Sequence, residues 1–255
     1  MFRIFSLLAI LFVAGAATEA QGQRPQFRPA VLGSGPTSLV NQIDSQALLQ
    51  KGQKDGAVMF CAILDVAGQP IASWTYRGMP GTAELEAEVM KRLAETKFTP
   101  AIYNHQPASV LVYGTVVFSA AAKPNLRILL NQDPRELKAA SDFIGPQPVI
   151  GSDSKFKGLR PPAAEMPVLL TGIADLGLRV DRNGNLQELR VIAEEPPLLG
   201  FGEAALSDFE GAKFIPAFRS GDATDCNTVL PVCYKPVPDQ DSGLGDGLRS
   251  APGGG

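Results

Sequence analysis

Apolar and polar residues alternate between positions 174 and 180. This period of two predicts a strand that is buried on one face. The dipeptide Asn183-Gly184 follows and favours a two-residue type I′ turn, in which both central residues have a positive φ. A second strand is then predicted over 186–192. The apolar face of the first strand consists of Ala174, Leu176, Leu178 and Val180.

A helix and one more strand follow this hairpin. Apolar residues recur at helical spacing from 201 to 209 and predict about three turns with one buried stripe. Pro216 prevents the helix from continuing, and 224–234 is predicted as the last strand. The order is ββαβ, so the fold class is α+β, with a helix packed on a three-stranded antiparallel sheet. The buried stripe consists of Phe201, Ala205, Leu206 and Phe209.

The sequence contains this unit twice. A shift of 116 residues aligns two stretches without a gap, so that Gly56 falls on Gly172 and Lys97 on Lys213. An ungapped match across so many residue types indicates an internal repeat. We therefore predict unit one at 56–119 and unit two at 172–235.

The first strand of unit one differs in being apolar on both faces. Val58 and Phe60 lie on the face expected to meet the helix, whereas Met59, Cys61 and Ile63 lie on the other. Strands that are apolar on both faces are usually covered on both. We expect the outer face of this sheet to pack against unit two or the N-terminal helix.

The remaining residues divide into four stretches. Residues 1–20 resemble a secretory signal peptide, with Arg3 before an apolar run and small residues up to Ala20. An uncleaved inner-membrane anchor is the alternative, although a spanning helix needs about 20 apolar residues. The second stretch is an N-terminal extension (21–55), which is expected to be loose to position 37 and then to form a short helix capped by Asp44. The third is a linker (120–171) with a short helix from Asp133 to about 143, and the fourth is a disordered tail (236–255).

Composition narrows the class of partner. Hydrophobic residues make up 45% of the chain, which is typical of a globular protein, and the formal net charge is −3. The 23 Lys and Arg are scattered among 26 Asp and Glu, without a basic patch. This balance argues against general binding to nucleic acid or anionic lipid.

The ordered motifs of unit two resemble the C-terminal domain of the TonB family. Unit one matches less closely and has His105 at the position that corresponds to Gly221 of unit two. Together the matches cover about half of the chain. The matching residues are Gly172, Asp181, Gly184, Ala205, Leu206, Phe214, Pro216, Ala217, Gly221 and the run Pro231-Val232-Cys233-Tyr234 in unit two, with Gly68, Phe98 and Pro100 in unit one.

The resemblance implies a periplasmic protein-interaction module. In that family the domain binds an extended segment of an outer-membrane transporter by adding it to a sheet edge, where backbone hydrogen bonds give affinity. We expect the partner to be a transporter or another cell-envelope protein, and the edge to be the last strand of unit two. Its expected binding residues are Ala223, Thr224, Asp225, Asn227, Val229 and Pro231.

Two alternatives remain open. The chain is a membrane-anchored energy transducer of the TonB type if its signal is not cleaved, but it has no histidine in its first hundred residues, whereas that family's anchor carries one. It is a structural envelope scaffold without a peptide ligand if the units bury each other's edges. Solvent protection of the 224–234 amides in the lone protein would favour the scaffold.

Catalytic and metal sites are not expected. The segment 181–185 resembles the start of a calcium loop, but the EF-hand pattern needs Gly and Glu where Leu186 and Ile192 stand. His105 is the only histidine, so a histidine-based metal site or triad lacks partners. We predict no enzyme activity and no cofactor.

Three cysteines in an exported chain raise the question of a disulfide. Cys226 and Cys233 lie on one predicted strand, about 23 Å apart, too far for a bridge unless the strand is broken. Cys61 and Cys233 both face away from their helices, so a bridge between the units is an alternative to the default of three free thiols.

Overall fold

The structure, a computed structural model, describes residues 24–121, 123–130, 133–139, 142–151, 153–162 and 171–235. Over these residues the fold is mixed α+β with mainly antiparallel sheets, as predicted. The helices are α1 (Leu39–Gln42), α2 (Ser45–Gln50), α3 (Ala83–Leu93), α4 (Pro134–Ala139) and α5 (Phe201–Phe209). The strands are β1 (Phe27–Arg28), β2 (Val31–Leu32), β3 (Gly56–Leu64), β4 (Pro70–Gly78), β5 (Phe98–Thr99), β6 (Ala101–Tyr103), β7 (Gln106–Ser119), β8 (Asn125–Leu129), β9 (Gln147–Ile150), β10 (Gly172–Val180), β11 (Leu186–Glu195), β12 (Lys213–Ile215), β13 (Ala217–Arg219), β14 (Asp222–Thr224) and β15 (Cys226–Tyr234).

Some predictions fall outside this range. The predicted signal peptide (1–20) and tail (236–255) lie outside the described residues. Among the residues that are described, no helix has the length and apolar character needed to cross a bilayer.

Strands β11, β10 and β15 form a three-stranded antiparallel sheet in that order. The predicted apolar face of β10 packs on α5, and Ala174 and Leu176 share a core cluster with Ala205 and Phe209 of that helix. Phe156, from the connection before β10, stacks on Phe209 with 4.6 Å between ring centroids. The period-two and period-3.6 patterns thus meet in one core.

Strand β3 lies between β4 and β7 in a larger sheet. Helix α3 buries Leu85, Val89 and Leu93 against the inner face of this sheet. The sheet continues past β7, which also pairs with β6, β8 and β9.

Corresponding elements recur at the offset seen in the sequence. β3 and β10 begin and end 116 residues apart, and so do β6 and β13. The hairpin glycines Gly68 and Gly184 both have a positive φ, and their carbonyls accept the N–H of Phe98 and Phe214 at 3.0 and 2.9 Å. A Cβ on either glycine would overlap the carbonyl oxygen of that phenylalanine, so only glycine fits at these positions.

The turn type predicted at Asn183-Gly184 is wrong, although the hairpin is present. Among the described residues of this turn only Gly184 has a positive φ, and its N–H donates to the Asp181 carbonyl at 2.9 Å. This is the pattern of a type I turn followed by a left-handed glycine. Both central residues have a positive φ instead at 104–105 and 220–221, which join β6 to β7 and β13 to β14.

The connection at 120–171, predicted as a linker with a short helix, also contains paired strands. β8 pairs with β7, and β9 pairs with both β7 and β12, so this connection adds strands that link the two halves of the chain. The predicted helix is present and capped by Asp133, whose Oδ1 accepts the N–H of Arg135 at 2.8 Å. Its described part is Pro134–Ala139, and residues 142 and 143 are no longer helical, so the helix is shorter than predicted.

Residues 27–32, predicted as part of a loose extension, form two short strands. β1 pairs with β6 and β2 pairs with β5. Ala30 between them is fully buried, and its N–H and carbonyl both bond the side-chain amide of Gln147 at 2.8 Å. The helix predicted from Asp44 is confirmed, with Asp44 Oδ1 accepting the N–H of Gln46 and Ala47.

The outer face of the first sheet is covered, as its apolar pattern predicts. Cys61, Leu111 and Tyr113 are buried in the same cluster as residues of segment 172–235. Arg77 also forms a two-pronged ion pair with Asp175, with both N–O distances at 3.1 Å. The two segments therefore share a core and a charge pair.

Candidate functional site

The last strand of segment 172–235 is broken, so the predicted edge is shorter than expected. Ala223 and Thr224 belong to β14, which folds back on β13 through the turn at 220–221. Asp225 lies between β14 and β15 and accepts the backbone N–H of Arg182 at 2.9 Å. These three predicted binding residues therefore lie outside β15, in a separate two-stranded sheet or in the connection that leads to β15.

The other three predicted residues do lie on β15. Asn227, Val229 and Pro231 pair with Arg179, Gly177 and Asp175 of β10. Among the described residues no strand pairs with the opposite edge of β15.

The position of Pro231 indicates which backbone groups face that open edge. Proline has no N–H, so it is tolerated where the backbone nitrogen points away from the neighbouring strand. The register of β15 on β10 has no break, and backbone orientation alternates along a strand. We infer that the N–H groups of Asn227 and Val229 also point away from β10.

Only the first part of this edge is accessible. Residues 230–234 are all buried, whereas Asn227 is exposed and Val229 is 42% exposed. Cys233 lies beside Trp74 of β4, and Tyr113 of β7 borders a crevice with Val229. The open window is therefore Cys226–Val229, about 13 Å of strand.

A groove of about 400 Å³ lies beside the window, on the sheet face opposite α5. Gly177 forms part of its floor, and the side chains of Arg190 and Ile192 lie where a Cβ on Gly177 would be in tight contact. Arg179 pairs with Glu188 at 3.3 Å, while Arg190 has no ion pair among the described residues. Asp133 and Pro134, at the start of α4, also line this groove.

In the corresponding strand, β7, the equivalent stretch 111–113 also lacks a strand on its outer edge among the described residues, but it is buried and flanked by added strands. β7 carries β9 at Ser109–Val110 and β8 at Thr115–Ser119, on the side away from β3. At the 116-residue offset these positions correspond to 225–226 and 231–235. One last strand thus has added strands on its edge, and the other does not.

The remaining motif residues form turns and close contacts. Asp181 Oδ1 accepts the N–H of Asn183 and Asn185, both at 2.9 Å. Burial alone would raise the pKa of Asp181, but these hydrogen bonds lower it below its ordinary value. Pro100 and Pro216 each separate two short strands, and the Pro100 carbonyl accepts from Arg28 at 2.9 Å.

The cysteines are free thiols, and the alternative bridge between Cys61 and Cys233 is not formed. Burial raises the pKa of Cys61 well above its ordinary value, with a smaller contribution from the neighbouring Cys233. Burial also raises the pKa of Cys226 to about 11. All three sulfurs are therefore protonated and weakly nucleophilic at neutral pH.

Two polar clusters were not predicted from the sequence. Asp208 on α5 is buried and accepts the Tyr234 hydroxyl at 3.0 Å and Arg160 Nε at 2.9 Å. Glu194, at the end of β11, accepts the N–H of Gly202 at the start of α5 at 2.6 Å. Charged residues on a helix or strand usually face solvent, so pattern alone gives no signal for these roles.

Metal-ligating side chains do not cluster in the part of the chain that the structure describes. No group of three or more His, Cys, Asp or Glu side chains there is placed to hold a metal ion. His105 is exposed, and its Nδ1 lies 2.6 Å from the Arg24 carbonyl.

Comparison with protein-family models, with curated proteins and with solved structures found no match for this chain.

Proposed function

We propose that this chain is a non-enzymatic, periplasmic interaction module built from two ββαβ units of the TonB C-terminal type. The window Cys226–Val229 binds an extended segment of an envelope protein, such as an outer-membrane transporter, by strand addition. The observation that carries the proposal is that the edge of β15 at Asn227–Val229 is unpaired among the described residues and accessible, whereas the corresponding 111–113 of β7 are buried between the added strands β8 and β9.

The size of the window limits what can bind. About four residues of β15 are open, so a guest strand gains only a few backbone hydrogen bonds, each worth about 0.5–1.5 kcal/mol. Side chains of the guest must supply further affinity by contacting the groove, where Val229 and Ile192 are exposed. Arg190, which has no ion pair among the described residues, can pair with an acidic side chain of the guest. The proposed partner is therefore a short extended segment with apolar and acidic residues.

A second candidate is a structural scaffold without a peptide ligand. Burial of residues 230–234 beside the neighbouring segment favours it, because half of the last strand is closed. The two candidates differ in their prediction for the window, which is open to a guest in one and unused in the other.

Backbone substitution separates them. Peptides from transporter plug segments are titrated against the full chain, and saturable binding is expected. Asn227→Pro removes an N–H that faces the guest and should abolish binding with little change in the unfolding midpoint. Thr228→Pro removes an N–H that faces β10 and should destabilise the sheet itself.

Asn227→Ala is the matched control, because it changes the side chain and keeps the backbone N–H. It should bind almost as well as the native chain. If no extended peptide binds, or if Asn227→Pro binds as well as Asn227→Ala, strand addition at this window is rejected.

A further inference from the structure

The connection between β11 and α5 presents an apolar residue to solvent. The side chain of Leu198 is 95% exposed, the largest exposed fraction among the large apolar side chains that the structure describes. Its backbone φ is +64°, which is uncommon for a bulky residue without a compensating reason. Strained, exposed residues of this kind are concentrated at binding sites.

The connection is held in place by Glu194. Its carboxylate accepts the N–H of Leu199 at 3.1 Å and of Gly202 at 2.6 Å. These bonds lower the pKa of Glu194, the Gly202 bond most, so the carboxylate is ionised at neutral pH. Leu198 is therefore presented on a fixed backbone, which reduces the entropy lost on binding.

A hollow of about 670 Å³ lies next to Leu198 on the same surface. Pro161, Pro162, Leu199 and Ala204 supply apolar walls. An apolar projection thus lies beside a depression whose walls are partly apolar and partly polar.

Opposite charges border the same hollow. Arg160 uses its Nε to bind the buried Asp208, and its side chain is 72% exposed, which leaves the other guanidinium nitrogens facing solvent. Glu203, in the first turn of α5, is exposed and has no ion pair among the described residues.

We propose that this face is an isologous interface between two copies of the chain. A two-fold axis brings the same patch of each copy together, so a patch that holds both a projection and a depression can be complementary to itself. Leu198 of each copy enters the hollow of the other, and Glu203 of each copy pairs with Arg160 of the other. The proposal does not depend on strand addition at β15.

The test is the self-association of the full chain, measured by sedimentation equilibrium. The native chain should form a concentration-dependent dimer. Leu198→Asp should raise the dimer dissociation constant about 10- to 100-fold, because the buried leucine is lost and Asp tolerates the left-handed backbone. Ile71→Asp is the matched control, since Ile71 is also exposed (67%) but lies on β4, and it should leave the dimer unchanged.

Charge variants test the geometry separately. Glu203→Lys should weaken the dimer because it opposes Arg160 across the axis, whereas Glu210→Lys, at the other end of α5, should not. A native chain that stays monomeric up to about 1 mM would overturn the proposal. Equal effects of Leu198→Asp and Ile71→Asp would also overturn it.

Discussion

Replacing Gly184 with alanine tests the close contact between a hairpin glycine and a phenylalanine carbonyl, which recurs in both segments. Gly184 has a φ of +76°, and a Cβ added there would overlap the Phe214 carbonyl oxygen and lie 3.1 Å from the carbonyl carbon. The Gly184 carbonyl also accepts the Phe214 N–H at 2.9 Å. Gly68 has the same relation to Phe98, again with 3.1 Å from the added Cβ to the carbonyl carbon.

The expected loss of unfolding free energy in Gly184→Ala has two parts. A non-glycine residue in the left-handed region costs about 1–2 kcal/mol. Moving the hairpin away from Phe214 weakens a backbone hydrogen bond worth about 0.5–1.5 kcal/mol. Gly184→Ala should therefore lower the free energy of unfolding by about 1.5–3.5 kcal/mol, and Gly68→Ala by a similar amount.

Gly81→Ala separates the two parts. Gly81 also has a positive φ, +83°, but a Cβ there meets nothing within 4 Å. It should show only the backbone penalty of about 1–2 kcal/mol. The assay is urea unfolding of the full chain, and the variants are compared when the dependence of their unfolding free energy on urea concentration is the same. If Gly184→Ala and Gly81→Ala are equally destabilising, the contact with Phe214 does not stabilise the fold and the reasoning is refuted.

Three further predictions concern polar groups and turns. Asp208→Ala should lower the free energy of unfolding by about 1–3 kcal/mol, because the Tyr234 hydroxyl loses its buried acceptor; a double-mutant cycle with Tyr234→Phe should show a coupling between them, and strict additivity would contradict it. The pKa of Glu194 is lowered in the folded chain, chiefly by the hydrogen bond from the Gly202 N–H. The ionised carboxylate therefore contributes fully to the free energy of unfolding above its unfolded pKa, and this contribution is lost as pH falls through the folded pKa. Glu194→Gln should therefore be less stable than the native chain at neutral pH and approach it in acid, and a constant difference across pH would count against this role. Ser220→Asn should raise the unfolding midpoint slightly, because Asn tolerates the φ of +53° found there.

The sequence was sufficient for elements whose signals are local. Alternation over 174–180 and the stripe from Phe201 to Phe209 predict β10 and α5 because each pattern repeats within one element. The apolar residues on the outer face of β3 correctly indicated that this face is covered, because a strand with apolar side chains such as Cys61 on both faces is usually buried on both.

The added strands could not be predicted in this way. β8 and β9 have five and four residues, too few for a clear pattern of their own. β8 folds back on β7 through a short connection, and β9 pairs with β7 and with β12 from the other half of the chain. The buried pairing of Gln147 with Ala30 joins residues 117 apart in sequence, and a glutamine between two prolines gives no sign of it.

The candidate site was predicted in part. Asn227, Val229 and Pro231 lie on β15, but the break before Cys226 removes Ala223, Thr224 and Asp225 from the edge. Gly221 carried part of the signal for this break, because glycine readily adopts the positive φ that a tight hairpin between short strands requires. Burial of 230–234 could not be predicted, since it depends on how the two segments pack.

Amide hydrogen exchange in β15 tests the central claim most directly. In the lone chain the amides of Asn227 and Val229 should exchange rapidly, while that of Thr228 is protected by β10. A bound extended peptide should then slow Asn227 and Val229 and leave Thr228 unchanged. Slow exchange at Asn227 and Val229 before any partner is added would mean that this stretch of backbone is already satisfied and has no place for a guest.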